Sequence, residues 1–360
     1  MKSLSSFFWL VFILLGLIVL LFLLTTKKMP DKPLKTDNPI TSSENNTIIT
    51  PPISSKPILD SFATPDTHDL STFNQIDLAS SLPNLSQLEN RQHYYENLLT
   101  QSPAVLWQQW QTLQHTQNPN AIRARQLIAI ALPLRLRDEF DAAVYHALAA
   151  HLTLPETTPY GYVSQIAQLL GQTATEPALI ALVQQALILL PNSEPRIPIL
   201  QAISYSTRLR WNNQFHTELS PPLEQAWQQL QTSQDIALVN TISEGLVSIG
   251  AENGLKQLFN SLEPVNFSSL ETLQKNNQIV PLSAFQAFKN LNNPDAITLL
   301  TETLYHAPPN SLTQQATVHG LMALAINDND HAVQQLRKWE QYAPESMREQ
   351  LIHWLNEINP

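Results

Sequence analysis

The sequence predicts an all-α protein: an α-solenoid of helix pairs behind a single transmembrane helix and a proline-rich linker. Three observations carry that expectation. Apolar residues recur at helical spacing, prolines stand where helices would begin, and a two-helix pattern returns about every 40 residues. Composition narrows the function. Of 360 residues, 43% are hydrophobic and 14% charged, with 26 prolines, 7 glycines and no cysteine. The missing cysteine excludes disulfides, thiolate nucleophiles, iron–sulfur clusters and cysteine zinc sites. So few glycines, with neither G-x-G-x-x-G nor G-x-x-x-x-G-K-[ST], argue against a nucleotide-binding fold.

The first element is the run Phe7 to Leu24, 18 apolar residues followed by Thr25, Thr26, Lys27 and Lys28. At 1.5 Å per residue it reaches about 27 Å, close to the thickness of a bilayer core. A cleaved signal would have a shorter apolar stretch and a small-x-small site after it, and none follows. Residues 7–25 are therefore expected to be a retained transmembrane anchor. The lysines after the span, Lys27, Lys28, Lys32 and Lys35, favour a cytoplasmic C-terminal part by the positive-inside rule. A short amino terminus with one lysine, and the Pro/Ser/Thr-rich stretch beyond the span, match an uncleaved export signal and an envelope spacer. The location adopted is a bacterial inner membrane crossed once, with the C-terminal domain periplasmic.

Residues 26–80 form the expected linker, with Pro30, Pro33, Pro39, Pro51, Pro52, Pro57 and Pro65 blocking sustained hydrogen-bonded structure. Net charge over the whole chain is −10, and residues 81–360 carry 14 basic against 23 acidic side chains. That sign is wrong for a duplex-binding surface or for lying on anionic lipid. No nucleic acid is expected as a partner.

From residue 81 onward helical signals follow one another with short breaks, about sixteen helices of 10 to 16 residues on the lengths typical of globular helices. Pro103, Pro119, Pro177, Pro221 and Pro294 stand at helix starts, where a missing N–H is tolerated. Leu179, Leu182, Val183, Ala186 and Leu187 show the periodicity, as do Ile236, Val239, Ile242, Leu246 and Ile249. No alternating strand is evident. Gly254 to Leu258, Ala296 to Leu300 and Ala332 to Leu336 share a small residue, an apolar residue and a leucine, each behind another helix. The same signature lies at Ala178 to Leu182.

The stretch Ala284 to Leu304, with an alanine-containing helix, the turn Asn292-Asn293-Pro294-Asp295 and then Ala296-Ile297, resembles a HEAT repeat of the short bacterial type also found in phycobilin lyases. The resemblance covers 234–360; residues 81–233 read as irregular helical repeats. It implies an α-solenoid whose concave face binds other proteins, and it transfers no catalytic residue. The arginine and aspartate frequent in such repeats are mostly missing here.

Catalytic and metal motifs are sparse. His146 and His151 are five apart, about 140° round a helix, and do not share a face as zincin ligands would. No G-x-S-x-G occurs, and Asp138, Glu139 and Asp141 sit where a helix is expected to start, complementing its dipole. No cofactor and no metal are expected, and no catalytic residue is assigned. Six of the ten arginines form Arg-x-Arg pairs: Arg123 with Arg125, Arg135 with Arg137, and Arg208 with Arg210. They are candidates for capturing an acidic partner segment, the competing reading being pairing with nearby acids. Alternate residues on a helix point about 200° apart, so within the first pair one member serves the fold if the other reaches out. Trp107 and Trp110, with Trp339 and Trp354, are the aromatic candidates, either as interface anchors or as helix packing.

The expected function is a non-enzymatic, membrane-tethered scaffold that binds a protein partner. A steric chaperone for an exported enzyme is one alternative, since anchor, spacer and helical body resemble the layout of lipase-specific foldases. Their Arg-x-x-Phe-Asp-Tyr motif is only echoed by Arg137 to Ala142. A hydrolase or lyase working in an inter-helix cleft is the other.

Overall fold

Helices begin in this protein where a short side chain or a proline can deal with the first free N–H groups. The computed structural model describes residues 78–358 apart from 115, 153–159 and 212. The expected anchor (7–25) and nearly all of the expected linker (26–80) lie outside the described residues. Among the described residues no helix is long and apolar enough to cross a membrane. These residues are all-α, the only ladder contact being an isolated bridge between Trp211 and Gln214.

Seventeen α-helices run through the described residues. In the first half they are α1 (Leu78–Ser81), α2 (Leu88–Leu98), α3 (Pro103–Leu113), α4 (Pro119–Asp138), α5 (Ala142–Leu152), α6 (Tyr160–Thr173), α7 (Glu176–Ile188), α8 (Arg196–Arg208) and α9 (Ser220–Gln229). The second half holds α10 (Ile236–Ile249), α11 (Glu252–Leu262), α12 (Leu270–Lys275), α13 (Ile279–Ala287), α14 (Ile297–His306), α15 (Leu312–Ile326), α16 (Asp330–Glu340) and α17 (Glu345–Ile358). α1 begins inside the expected linker, and its Leu78 packs partly buried against the core.

Pro103 and Pro119 open α3 and α4, Pro177 and Pro221 lie in the first turns of α7 and α9, and Pro294 opens a 3-10 turn leading into α14. Asp235, Ser269, Ser311 and Asn329 accept from backbone N–H groups at the starts of α10, α12, α15 and α16. Each such cap is worth about 1 kcal/mol. Pro133 departs from this rule. It sits inside α4, a 20-residue helix, where it has no N–H to give the Ala129 carbonyl four residues back.

The helices stack in two rows. One row is α4, α6, α8, α10, α13 and α15, each packed on the next; the other is α3, α5, α7, α9 and α11, packed in the same way. From α3 to α11 successive helices in the chain cross from one row to the other, and the apolar faces are buried between them. The stacking crosses residue 233 without interruption, since α8 packs on α10 and α9 on α11. Two turns show how the period is fixed. α10 ends at Gly250 with φ +68°, a left-handed value that glycine adopts freely. The fully buried Asn293, one helix pair later, donates from Nδ2 to the Ile249 carbonyl at 2.7 Å. A Cβ on residue 250 would stand 2.5 Å from that of Asn293, so the turn and its neighbour are fitted to each other.

Candidate protein-binding groove

The arginines divide into those that hold the fold and those that do not. Helix ends leave carbonyls without donors, and with so few glycines this chain satisfies several of them with guanidinium groups. Arg125 donates from Nη1 to the Gln114 carbonyl at 2.8 Å, just past α3. Arg135 donates from Nε to the Gln101 carbonyl at 3.0 Å and pairs with Glu139 at 2.7 Å. Arg210 donates to the carbonyls of Thr207 and Leu209 at 3.0 Å and of Ser248 at 2.7 Å, joining the ends of α8 and α10. In each Arg-x-Arg pair the other member is differently employed. Arg123 has no hydrogen bond or ion pair among the described residues. The Arg137 guanidinium lies 3.3 Å over the ring of Trp211, and burial lowers its pKa against the opposing pull of Asp138. Arg208 pairs with Glu244 at 2.8 Å on the surface.

The sequence offered no sign of the most deeply buried arginine. Arg196 is 2% exposed, donates from Nε to the Ala186 carbonyl at 3.0 Å and pairs with Asp235, the residue that caps α10. It lies outside the Arg-x-Arg pattern, and its partner is 39 residues away. The expected helix start at Asp138 to Asp141 is corrected by one element boundary. Asp138 ends α4, Glu139 follows it, and only Asp141 accepts at the start of α5, from the Val144 N–H at 3.1 Å.

Three of the four candidate tryptophans are buried. Trp110 and Trp339 are core residues, and Trp107 stacks on Trp110 with ring centres 5.3 Å apart. His151 meets the edge of Trp107, and Tyr162 closes the same cluster with its hydroxyl 3.2 Å from His151 Nδ1. Burial lowers the His151 pKa below its ordinary value. Trp354 is half-buried against the last helices. Among the described residues no group of three or more His, Cys, Asp or Glu side chains is arranged to hold a metal ion.

What the sequence missed is a groove across the first row. Between α4 and α6 lies an opening of about 300 Å³ with Trp110, Ala129 and Leu169 in its wall and Arg125, Gln126 and Ile130 on the α4 side. Its α6 side is a stripe of amides, Gln165, Gln168 and Gln172. Gln168 and Gln172 are shared with a second opening of about 240 Å³ between α6 and α8, completed by Gln201 and Tyr205. The two furrows thus flank α6 and share its amides. Gly171 allows this close approach, since a Cβ there would lie 2.9 Å from the Ala202 carbonyl oxygen of α8.

No protein-family model matches the chain, and no curated protein matches it. The groove is therefore read from its own chemistry. The side-chain amides of Gln126, Gln168, Gln172 and Gln201 have no hydrogen-bond partner among the described residues. α4, α6 and α8 together carry six arginines and, as their only acid, Asp138, inside a body whose net charge is −9. The lining holds no carboxylate and no histidine. It offers hydrogen bonding and positive potential, with exposed apolar contact from Ile130 and Tyr205.

Proposed function

We propose that the chain is a membrane-tethered helical-repeat scaffold that holds a protein partner at the bacterial envelope. In this reading the stacked helix pairs form a HEAT-like α-solenoid, the row headed by α4 faces the partner, and the apolar run Phe7 to Leu24 anchors the molecule with the body in the periplasm. The observation that carries the reading is the pair of furrows flanking α6 between α4 and α8, whose unpartnered amides face outward from a well-packed array. Stacked pairs of helices give an extended binding surface because each pair contributes one more helix face to the same side. A hydrolase or lyase would need two titratable groups converging on a cleft, and Arg125 with Tyr205 in this groove is not such a pair.

The test is site-specific photo-crosslinking of the full chain in its native membranes. A crosslinker at Gln168, on the α6 ridge, is expected to trap one dominant protein, whereas one at His331, on α16, which does not line the groove, traps none. Equal trapping at both positions, or none at Gln168, would sink the scaffold. A fusion after Pro360 checks the topology: active alkaline phosphatase is expected, and a fluorescent cytoplasmic reporter in its place would reverse the orientation.

A further inference from the structure

We infer that the groove over α4, α6 and α8 takes an extended, acidic segment of polypeptide, held along its backbone by glutamine amides and at its carboxylates by arginine. The inference rests on the scaffold reading and names the ligand of that site.

A peptide unit presents one N–H and one C=O, and a primary amide presents the complementary donor and acceptor. Gln165, Gln168 and Gln172 lie on one stripe of α6 at steps of three and four residues. Those steps rise about 4.5 and 6 Å, against about 6.7 Å between alternate residues of an extended chain. A segment lying along the furrow therefore meets an amide at close to every second residue. The opposite wall adds the small apolar face of Ala129. Ile130 and Tyr205, each about half exposed, give side chains of the segment apolar surface to cover.

Charge selects the kind of segment. Of the six arginines on these three helices, Arg135, Arg196 and Arg208 pair with Glu139, Asp235 and Glu244 and Arg125 closes the end of α3, which leaves Arg123 and Arg137 to draw a carboxylate to a body that is otherwise strongly acidic. Arg123 and Arg137 fall on the same side of α4 as Ile130, seven residues before and after it. They are about 21 Å apart along the helix, the span of roughly six extended residues. Neither is tied to a carboxylate among the described residues, and Arg137 is held ready by its stack on Trp211. The favoured ligand thus carries two acidic side chains about six residues apart.

The experiment selects from a random library of peptides about twelve residues long, displayed on phage, against the full chain in detergent. Selection is expected to enrich Asp and Glu at a spacing near six. For an enriched peptide, Gln168→Ala with Gln172→Ala should weaken binding about tenfold with the salt dependence intact. Arg123→Gln with Arg137→Gln should weaken it five- to tenfold and flatten the salt dependence. Melting temperatures of both variants should match the wild type, and N-methylation of alternate peptide bonds should abolish binding. Enrichment of basic or uncharged sequences, no enrichment, equal binding of the N-methylated peptide, or indifference to all four substitutions would each overturn the inference. If the partner trapped by crosslinking in membranes is still captured by the fourfold variant, the groove is wrong and the scaffold stands. Loss of trapping in the unaltered chain would remove the scaffold itself.

Discussion

Two openings of similar size lie far apart in the chain and differ in what surrounds them. The furrow between α4 and α6 measures about 300 Å³, and an opening among α15, α16 and α17 about 330 Å³. Both have a buried tryptophan in the wall, Trp110 in one and Trp339 in the other, and both are edged by glutamines. The first is bordered by arginine without acids. The second contains His319 between Met322 and Met347, and α16 and α17 bring acids and bases in mixture. Volume and wall chemistry are thus nearly constant, and the distribution of charge makes one opening selective. The C-terminal opening is a place where helices meet imperfectly; the first is a place where neutral amides have been left without partners beside a single, carbonyl-bound arginine.

Removing the two tryptophans tests whether both floors belong to the core. Trp110→Ala and Trp339→Ala should each destabilise by about 3–5 kcal/mol in chemical denaturation, the range for deleting a buried aromatic. A loss below about 1 kcal/mol at either would make that tryptophan a lining group rather than a structural one. The next largest effect separates the openings by pH. Burial, with Lys289 acting in the same direction, lowers the His319 pKa to about 4, while its unfolded value is near 6.5. The unfolded chain therefore binds the proton first, and stability present above pH 6.5 is lost as pH falls towards 4. The shift corresponds to about 3 kcal/mol at most, and His319→Gln should remove that part of the acid slope. An unchanged slope in the variant would mean that His319 is solvated. The smallest effect concerns the close approach of neighbouring helices. Gly171→Ala places a Cβ 2.9 Å from a backbone oxygen, whereas Gly320→Ala meets only leucine side-chain ends at 3.3 Å. The former should lose about 1–3 kcal/mol by overpacking and the latter less, as read by melting temperature. The reverse order would mean that α6 and α8 yield more easily than the leucines beside α15.

Much of the helical order was legible because its signals are short-range. Pro103, Pro119 and Asp235 mark starts through groups one to three residues away, and the repeated small-apolar-leucine pattern reflects one helix face. Pro133 was not legible, because a proline inside a helix is tolerated only when the surrounding packing holds the helix together. Arg-x-Arg spacing said that two members of a pair diverge. It did not say that Arg125 would reach the end of α3, or that Arg137 would stack on a tryptophan 74 positions later in the chain. The groove itself left no motif, since Gln165, Gln168 and Gln172 look like any solvated helix face until α4 and α8 are set beside them.

By itself the sequence determined an all-helical body and the places where many helices begin. Those follow from backbone donors, caps and apolar periodicity, all of which act within one or two helical turns. Tertiary structure alone decided which arginines close helix ends, which stay unpaired, and that the amides of α6 line a furrow beside α4 and α8. These depend on carbonyls, rings and charges brought together by stacking from tens of residues away, and burial and potential are properties of that assembled neighbourhood.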